Sequence, residues 1–235
     1  MNLRRLKSLL AIASMTAIML AGCNSFPGRP TKAELPLRPS NVTDFAALYG
    51  ENCAGCHGAD GKSGAAIAMN NRIYLEIIDD ASMRHVISDG VPGTAMPPFA
   101  QSAGGSLTDR QINLLIAGIR KTWAAVSSAG SGAPPYSNST PGDSNRGAQV
   151  YAANCQSCHG ADGKGGTAGS VVDASYLSLV SDQYLRSIVI AGRPDLGHPD
   201  WKSAASGQPL TPAQVSDVVA WLSSKRPASP LAQSN

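Results

Sequence analysis

Aromatic residues make up only 5% of this 235-residue chain, and charged residues 15%. So few large rings argue against one broad core. No stretch alternates apolar and polar residues over a strand's length, which sets aside a sheet-based fold. A basic face is also missing. The formal charge of +3 comes from Arg4, Arg5 and Lys7 near the N-terminus. Without those three, bases and acids balance, and nucleic-acid binding has no electrostatic support. What the chain has in quantity is glycine and proline, 24 and 16 residues. That composition suits small, loop-rich domains that need a staple or a cofactor to be stable.

The N-terminal residues read as a targeting segment. "MNLRRLK" is positive, "SLLAIASMTAIML" is apolar but short for a membrane span, and "LAGC" ends at Cys23. This looks like a bacterial lipobox, so residues 1–22 are expected to be a lipoprotein signal peptide and Cys23 the lipidation site. Acyl chains there would anchor the protein to the periplasmic side of a membrane. Residues 23–42, rich in proline and polar side chains, read as a tether.

The remainder is one unit written twice. At an offset of 102, Tyr49, Asn52, Cys53, Cys56, His57, Gly58, Asp60, Gly61 and Lys62 recur as Tyr151 through Lys164. Tyr74, Leu75, Asp80 and Arg84 recur as Tyr176, Leu177, Asp182 and Arg186. After one inserted residue, "LTDRQINLLIAGI" matches "LTPAQVSDVVAWL". The repeats are placed at 43–123 and 144–226, with a linker at 124–143 and a tail at 227–235.

Each repeat reads as all-α. First helices are expected over Asp44–Asn52 and Arg146–Asn154. Middle helices fall over "DASMRHVISDG" and "DQYLRSIVIAG", each stopped by glycine. Final helices open at Thr108 and Thr211, each followed three residues later by glutamine, a capping-box pattern.

Four of the five cysteines form C-x-x-C pairs, each followed directly by histidine: Cys53, Cys56, His57 and Cys155, Cys158, His159. This is the attachment signal for c-type haem. Two thiols about one helical turn apart can form thioethers to the haem vinyl groups, and the next residue reaches the iron. A dithiol redox pair would not call for the histidine in both copies, and a zinc site would pool the cysteine and histidine ligands in one place, which the repeat and its linker disfavour.

The other side of each iron decides the chemistry, because a second strong ligand makes an electron carrier and an open position permits catalysis. In the first repeat the candidates are Met69, Met83, His85 and Met96. Met96 is favoured: it lies in "GTAMPPF", 39 residues beyond His57, in a stiff loop of small residues and prolines. Met83 and His85 match Leu185 and Ser187, which suits core and surface roles. No methionine follows Met96. In the second repeat His198 occupies the same slot, 39 residues beyond His159 and again before a proline. It is the candidate ligand there.

With "CAGCHGADGKSG" and "GVPGTAMPPF", both repeats resemble the class I cytochrome c family, closest to small domains of bacterial respiratory chains. The likeness covers nearly all the chain beyond the tether. It implies two tandem cytochrome c-like domains, each wrapped round a covalent haem, and electron transfer between a quinol-oxidising or dehydrogenase complex and an oxidase or soluble cytochrome. A di-haem peroxidase is the alternative, although no insertion or acidic residue marks a distal pocket. Arg84 and Arg186 are candidate propionate contacts. Phe99 and Trp201 are expected beside the haems, Tyr74 and Tyr176 near them or in the core, and Lys62 and Lys164 on the surface.

Overall fold

The computed structural model describes residues 35–124 and 132–227. The signal segment, Cys23, most of the tether, residues 125–131 of the linker and all of the tail but Pro227 lie outside the described residues. The chain divides into Met1–Asn41 and a compact body, Val42–Asn235, which holds both repeats. Among the described residues there is no strand, and no helix is long and apolar enough to cross a membrane.

The first repeat contains α1 (Phe45–Asn52), α2 (Ala54–His57), α3 (Arg72–Ile77), α4 (Asp80–Asp89) and α5 (Asp109–Trp123). The second contains α6 (Ser144–Asn154), α7 (Gln156–His159), α8 (Ala174–Leu179), α9 (Asp182–Ala191) and α10 (Pro212–Ser223). Side-chain caps set most starts. Thr108 and Thr211 form the expected capping boxes. Helix α6 begins two residues before the expected Arg146, because Asp143 accepts from the Asn145 and Arg146 backbone N–H groups. Helices α3 and α8 were not expected. At six residues each they are too short to show a period, and the Asn71 and Asp173 side chains nucleate them by accepting from Tyr74 and Tyr176 N–H.

In each repeat the first helix packs across the last, α1 on α5 and α6 on α10. The crossings are built from swapped parts. In the first, Phe45 faces Gly118, where a Cβ would lie 2.1 Å from the Phe45 ring. In the second, glycine has moved to the first helix: a Cβ on Gly147 would lie 2.0 Å from the Asp217 carbonyl oxygen and 2.8 Å from Trp221 Cβ. In the alignment Gly147 corresponds to Phe45 and Trp221 to Gly118. A tryptophan closes both cores, with Trp123 edge-on to Tyr49 at 4.9 Å and Trp221 stacked on Tyr151 at 4.1 Å.

An arginine at or just beyond the end of the final helix ties it to the middle of each repeat, though from different alignment positions. Arg120 donates to Asp80 and to the Leu75 and Ile78 carbonyls. Arg226 donates to Asp182 and to the Leu177 and Val180 carbonyls. Both satisfy carbonyls that the ends of α3 and α8 leave without helical partners.

The repeats share apolar surface. Ile73 and Ile77 of α3 pack against the second core, and Tyr184, Ile188 and Ala191 of α9 against the first. The described part of the linker is fastened as well. Pro134 is fully buried, Tyr136 meets Tyr74 edge-on, and Asn138 donates to Ser216. Composition marked this segment as a connection; its apolar residues make part of it a packed strap.

Candidate functional site

Each C-x-x-C-H motif bends back on itself by one set of contacts. Cys53 and Cys155 sit where the first helix ends, and α2 and α7 carry the second cysteine and the histidine through one turn. The chain then reverses at Gly58 and Gly160, both at φ 82°. A Cβ on Gly58 would lie 1.8 Å from the Lys62 carbonyl oxygen, so the turn requires glycine there. The Tyr49 hydroxyl donates to the Gly58 carbonyl at 2.9 Å, and the Tyr151 hydroxyl to the Gly160 carbonyl at 2.7 Å. The repeated tyrosines thus hold the attachment turns.

His57 Nδ1–H donates to the Ile67 carbonyl at 2.8 Å, and His159 Nδ1–H to the Gly169 carbonyl at 3.0 Å. A carbonyl can only accept, so each bond fixes the tautomer and leaves Nε2 with a free lone pair, as a metal ligand requires. His57 is buried and His159 half-buried. Burial lowers the pKa of His57, which keeps it a neutral imidazole. Cys53 and Cys155 are pushed up to about 11 by burial and by the neighbouring cysteine. A catalytic dithiol needs the opposite shift, so the redox-dithiol reading has no support.

The two distal loops share a frame. Gly90 and Gly192 end α4 and α9 at φ 66°, each against the proline after the candidate ligand: a Cβ would lie 2.6 Å from Pro97 C or from the Pro199 carbonyl oxygen. The Met96 carbonyl accepts from Val91 N–H at 3.0 Å, and the His198 carbonyl from Arg193 N–H at 3.1 Å. The fastenings then differ. Met96 N–H donates to Thr94 Oγ1 at 3.2 Å, whereas His198 N–H returns to the Arg193 carbonyl at 2.9 Å. Met96 is half-buried. Of the other candidates, Met69 and Met83 pack into the core, and exposed His85 pairs with Asp89.

The His159 and His198 rings face each other with centroids 6.0 Å apart and planes 46° apart. An imidazole–metal bond is about 2 Å and a ring nitrogen stands roughly 1 Å from its ring centre, so two imidazoles on one metal put their centroids about 6 Å apart. His198 Nδ1 and Trp201 Nε1 are buried without a hydrogen-bond partner among the described residues. Orphan polar atoms of this kind cost free energy unless something else satisfies them. A haem would supply polar partners of the kind these atoms lack, so the residues fit the group.

The two matched arginines have parted ways. Arg186 is buried and spends its guanidinium on the Pro135 and Tyr136 carbonyls and the Ser216 hydroxyl. The Arg186 donor fork is engaged by three groups of the strap and final helix, which leaves fewer N–H groups for the propionate contact expected of it. Arg84 is half-buried with no ion pair among the described residues. Phe99 packs partly buried against the first core, and Trp201 is buried in the second. Lys62 and Lys164 are exposed.

Sequence reasoning missed Arg193, Asp195 and Asn71. Arg193 and Asp195 pair at 2.8 Å with side chains only 7% and 6% exposed. The pair lies against the first repeat's attachment loop. Arg193 donates to the Gly64 and Ala66 carbonyls, both at 3.0 Å, and Asp195 accepts from Ser63 N–H at 2.9 Å. Asn71 Nδ2 donates to the Ala191 and Gly192 carbonyls. Self-alignment held a clue: Arg193 stands opposite Val91 and Asn71 opposite Asp173, changes of chemistry inside a kept frame.

Helical repeats, each built round a C-x-x-C-H turn and a distal ligand loop, define class I cytochrome c domains. The chain belongs to the c-type cytochromes, with two such domains in tandem and two covalent haem c groups. Residues 40–117 match the family described as cytochrome c oxidase, cbb3-type, subunit III, and residues 144–225 match the cytochrome c family. Over 186 residues the chain is 31% identical to the cbb3-type cytochrome c oxidase subunit FixP of Sinorhizobium medicae, covering 70% of this chain and 58% of that protein. It is 30% identical over 121 residues to FixP of Azorhizobium caulinodans, covering 50% and 38%. The chain therefore spans less than two thirds of these relatives' length. A solved reducing HAO-like complex from Kuenenia stuttgartiensis aligns over 82% of this chain and 100% of its own, at TM-score 0.47 and 14% identity.

Proposed function

We propose that this protein relays electrons in a bacterial respiratory chain, tethered to the periplasmic side of a membrane through lipidated Cys23. Its relatives named as cbb3-type oxidase subunits support a place beside a terminal oxidase. Cys53 and Cys56 would hold the first haem covalently, and Cys155 and Cys158 the second. Each haem supplies a one-electron couple. His57 and Met96 are the proposed axial ligands of the first iron, and His159 and His198 those of the second. Trp201 Nε1–H would donate to a propionate of the second haem; Phe99, its counterpart, has no such donor.

The observation that carries this reading is the facing of His159 and His198 at 6.0 Å, matched to an imidazole pair on one metal. With both positions filled, neither iron offers an open site, and the chain's residues are committed to holding charge. Methionine raises a haem potential relative to histidine. The first repeat is then the higher-potential site, and electrons enter through the second repeat and leave through the first. A potentiometric titration followed by optical and electron paramagnetic resonance spectra tests this. Two separate one-electron steps are expected, the lower carrying the bis-imidazole low-spin signal. A single step at one potential would refute the ordering.

A further inference from the structure

The loop that presents His198 does more than aim one side chain. Between Gly192 and His198 it also grips the first repeat at the segment that orients His57. Three fastenings converge there. Arg193 holds the Gly64 and Ala66 carbonyls, Asp195 holds Ser63 N–H, and Asn71 holds the Ala191 and Gly192 carbonyls. Ile67, the residue after Ala66, accepts the His57 Nδ1–H bond. An ion pair so buried is rarely a bargain for stability, so its presence at this point asks for another role.

We infer that Arg193 and Asp195 form a buried positioning pair that joins the distal loop of one haem site to the proximal hydrogen bond of the other and sets the reduction potential of the first. This rests on the ligand assignment proposed above for His57. Only the His198 loop is built this way; at the corresponding place Val91 has no charge to offer.

The pair makes a prediction that mere packing does not. Positive charge near an iron favours the reduced state and negative charge the oxidised state. Arg193→Gln leaves Asp195 uncompensated and should lower the first haem's potential. Asp195→Asn leaves Arg193 uncompensated and should raise it. In low-dielectric surroundings each shift should reach about tenfold in the reduction equilibrium, or ~59 mV for one electron. The double variant removes both charges and should return close to the parent.

The experiment is a potentiometric titration of the full-length di-haem protein and the three variants, with haem content and circular dichroism taken alongside. Neither residue is an iron ligand, so covalent haem content should hold. Opposite shifts that cancel in the double variant support the inference. Shifts of the same sign, or an unmoved first haem in all three, overturn it. If a single variant fails to fold, the double variant still decides, because a large shift there would mean the pair acts only by holding structure. The parent's first-haem spectrum reports the ligand assignment separately: lack of a histidine–methionine signature would defeat that reading whatever the variants do.

Discussion

Replacing His198 by methionine gives the second repeat the residue that the first carries at the same register, in a loop whose frame already matches. Gly192 and Gly90 share φ 66°, and both ligand carbonyls accept the same backbone bond, at 3.1 and 3.0 Å. The distance supports the proposed role of His198. At 6.0 Å between ring centroids there is room for one metal and no more. A water between His198 and the iron would add a hydrogen bond of about 2.8 Å and push the centroids to roughly 9 Å. On the ligand assignment proposed above, exchanging the imidazole acts on the iron itself. Axial ligands move haem potentials over about 0.8 V, and methionine lies on the high side of histidine. A quarter of that range, roughly 0.2 V, is the upward shift expected for the second haem in His198→Met. At ~59 mV per decade this exceeds a thousandfold in the one-electron equilibrium. The two steps of the potentiometric curve should draw together, and a second sulfur-to-iron charge-transfer band should appear. His198→Ala should lose the bis-imidazole signal and become high-spin or water-ligated. A second haem that keeps its potential in the methionine variant and its low-spin spectrum in the alanine variant would refute the reasoning.

The helix crossings rank two alanine substitutions. Gly147→Ala meets the Asp217 backbone carbonyl, which cannot give without parting α6 from α10, whereas Gly118→Ala meets the Phe45 ring, which can turn. Gly147→Ala should cost the upper end of about 1–3 kcal/mol and Gly118→Ala less, read from chemical denaturation of the haem-loaded protein. Acid unfolding should expose the buried pair. Arg193 holds Asp195 down to about 2 from its ordinary 3.8. A depressed acid stabilises the fold above its unfolded pKa and loses that contribution as pH falls through the folded one. Up to about 2 kcal/mol should vanish between roughly pH 4 and 2 and be absent from that window in Asp195→Asn, as measured by acid titration of denaturation midpoints.

The helices, their caps and the attachment motifs were legible because each is a local pattern: a period, a threonine three residues before a glutamine, two cysteines and a histidine. The proposed distal ligands rest on a comparison the chain carries within itself, Met96 against His198 at one offset. What could not be read depended on contacts across the chain. Arg186 looked equivalent to Arg84, yet the strap at Pro135 and Tyr136 claims it. Arg193 showed only as a change from Val91, since its partners Gly64 and Ala66 lie far away in sequence and offer backbone atoms, which no side-chain pattern reveals. Helices α3 and α8 depend on single capping side chains and are shorter than any window in which periodicity can be counted.

The exchanged bulk at the two helix crossings bears on how the halves can change. Phe45 with Gly118 and Gly147 with Trp221 are each a closed fit of one large and one small partner. A hybrid that joined the first helix of one repeat to the last helix of the other would set Phe45 against Trp221, or Gly147 against Gly118. One combination overfills the crossing and the other hollows it. The repeats have diverged into parts that cannot be interchanged piece by piece, so either can be transplanted only as a whole.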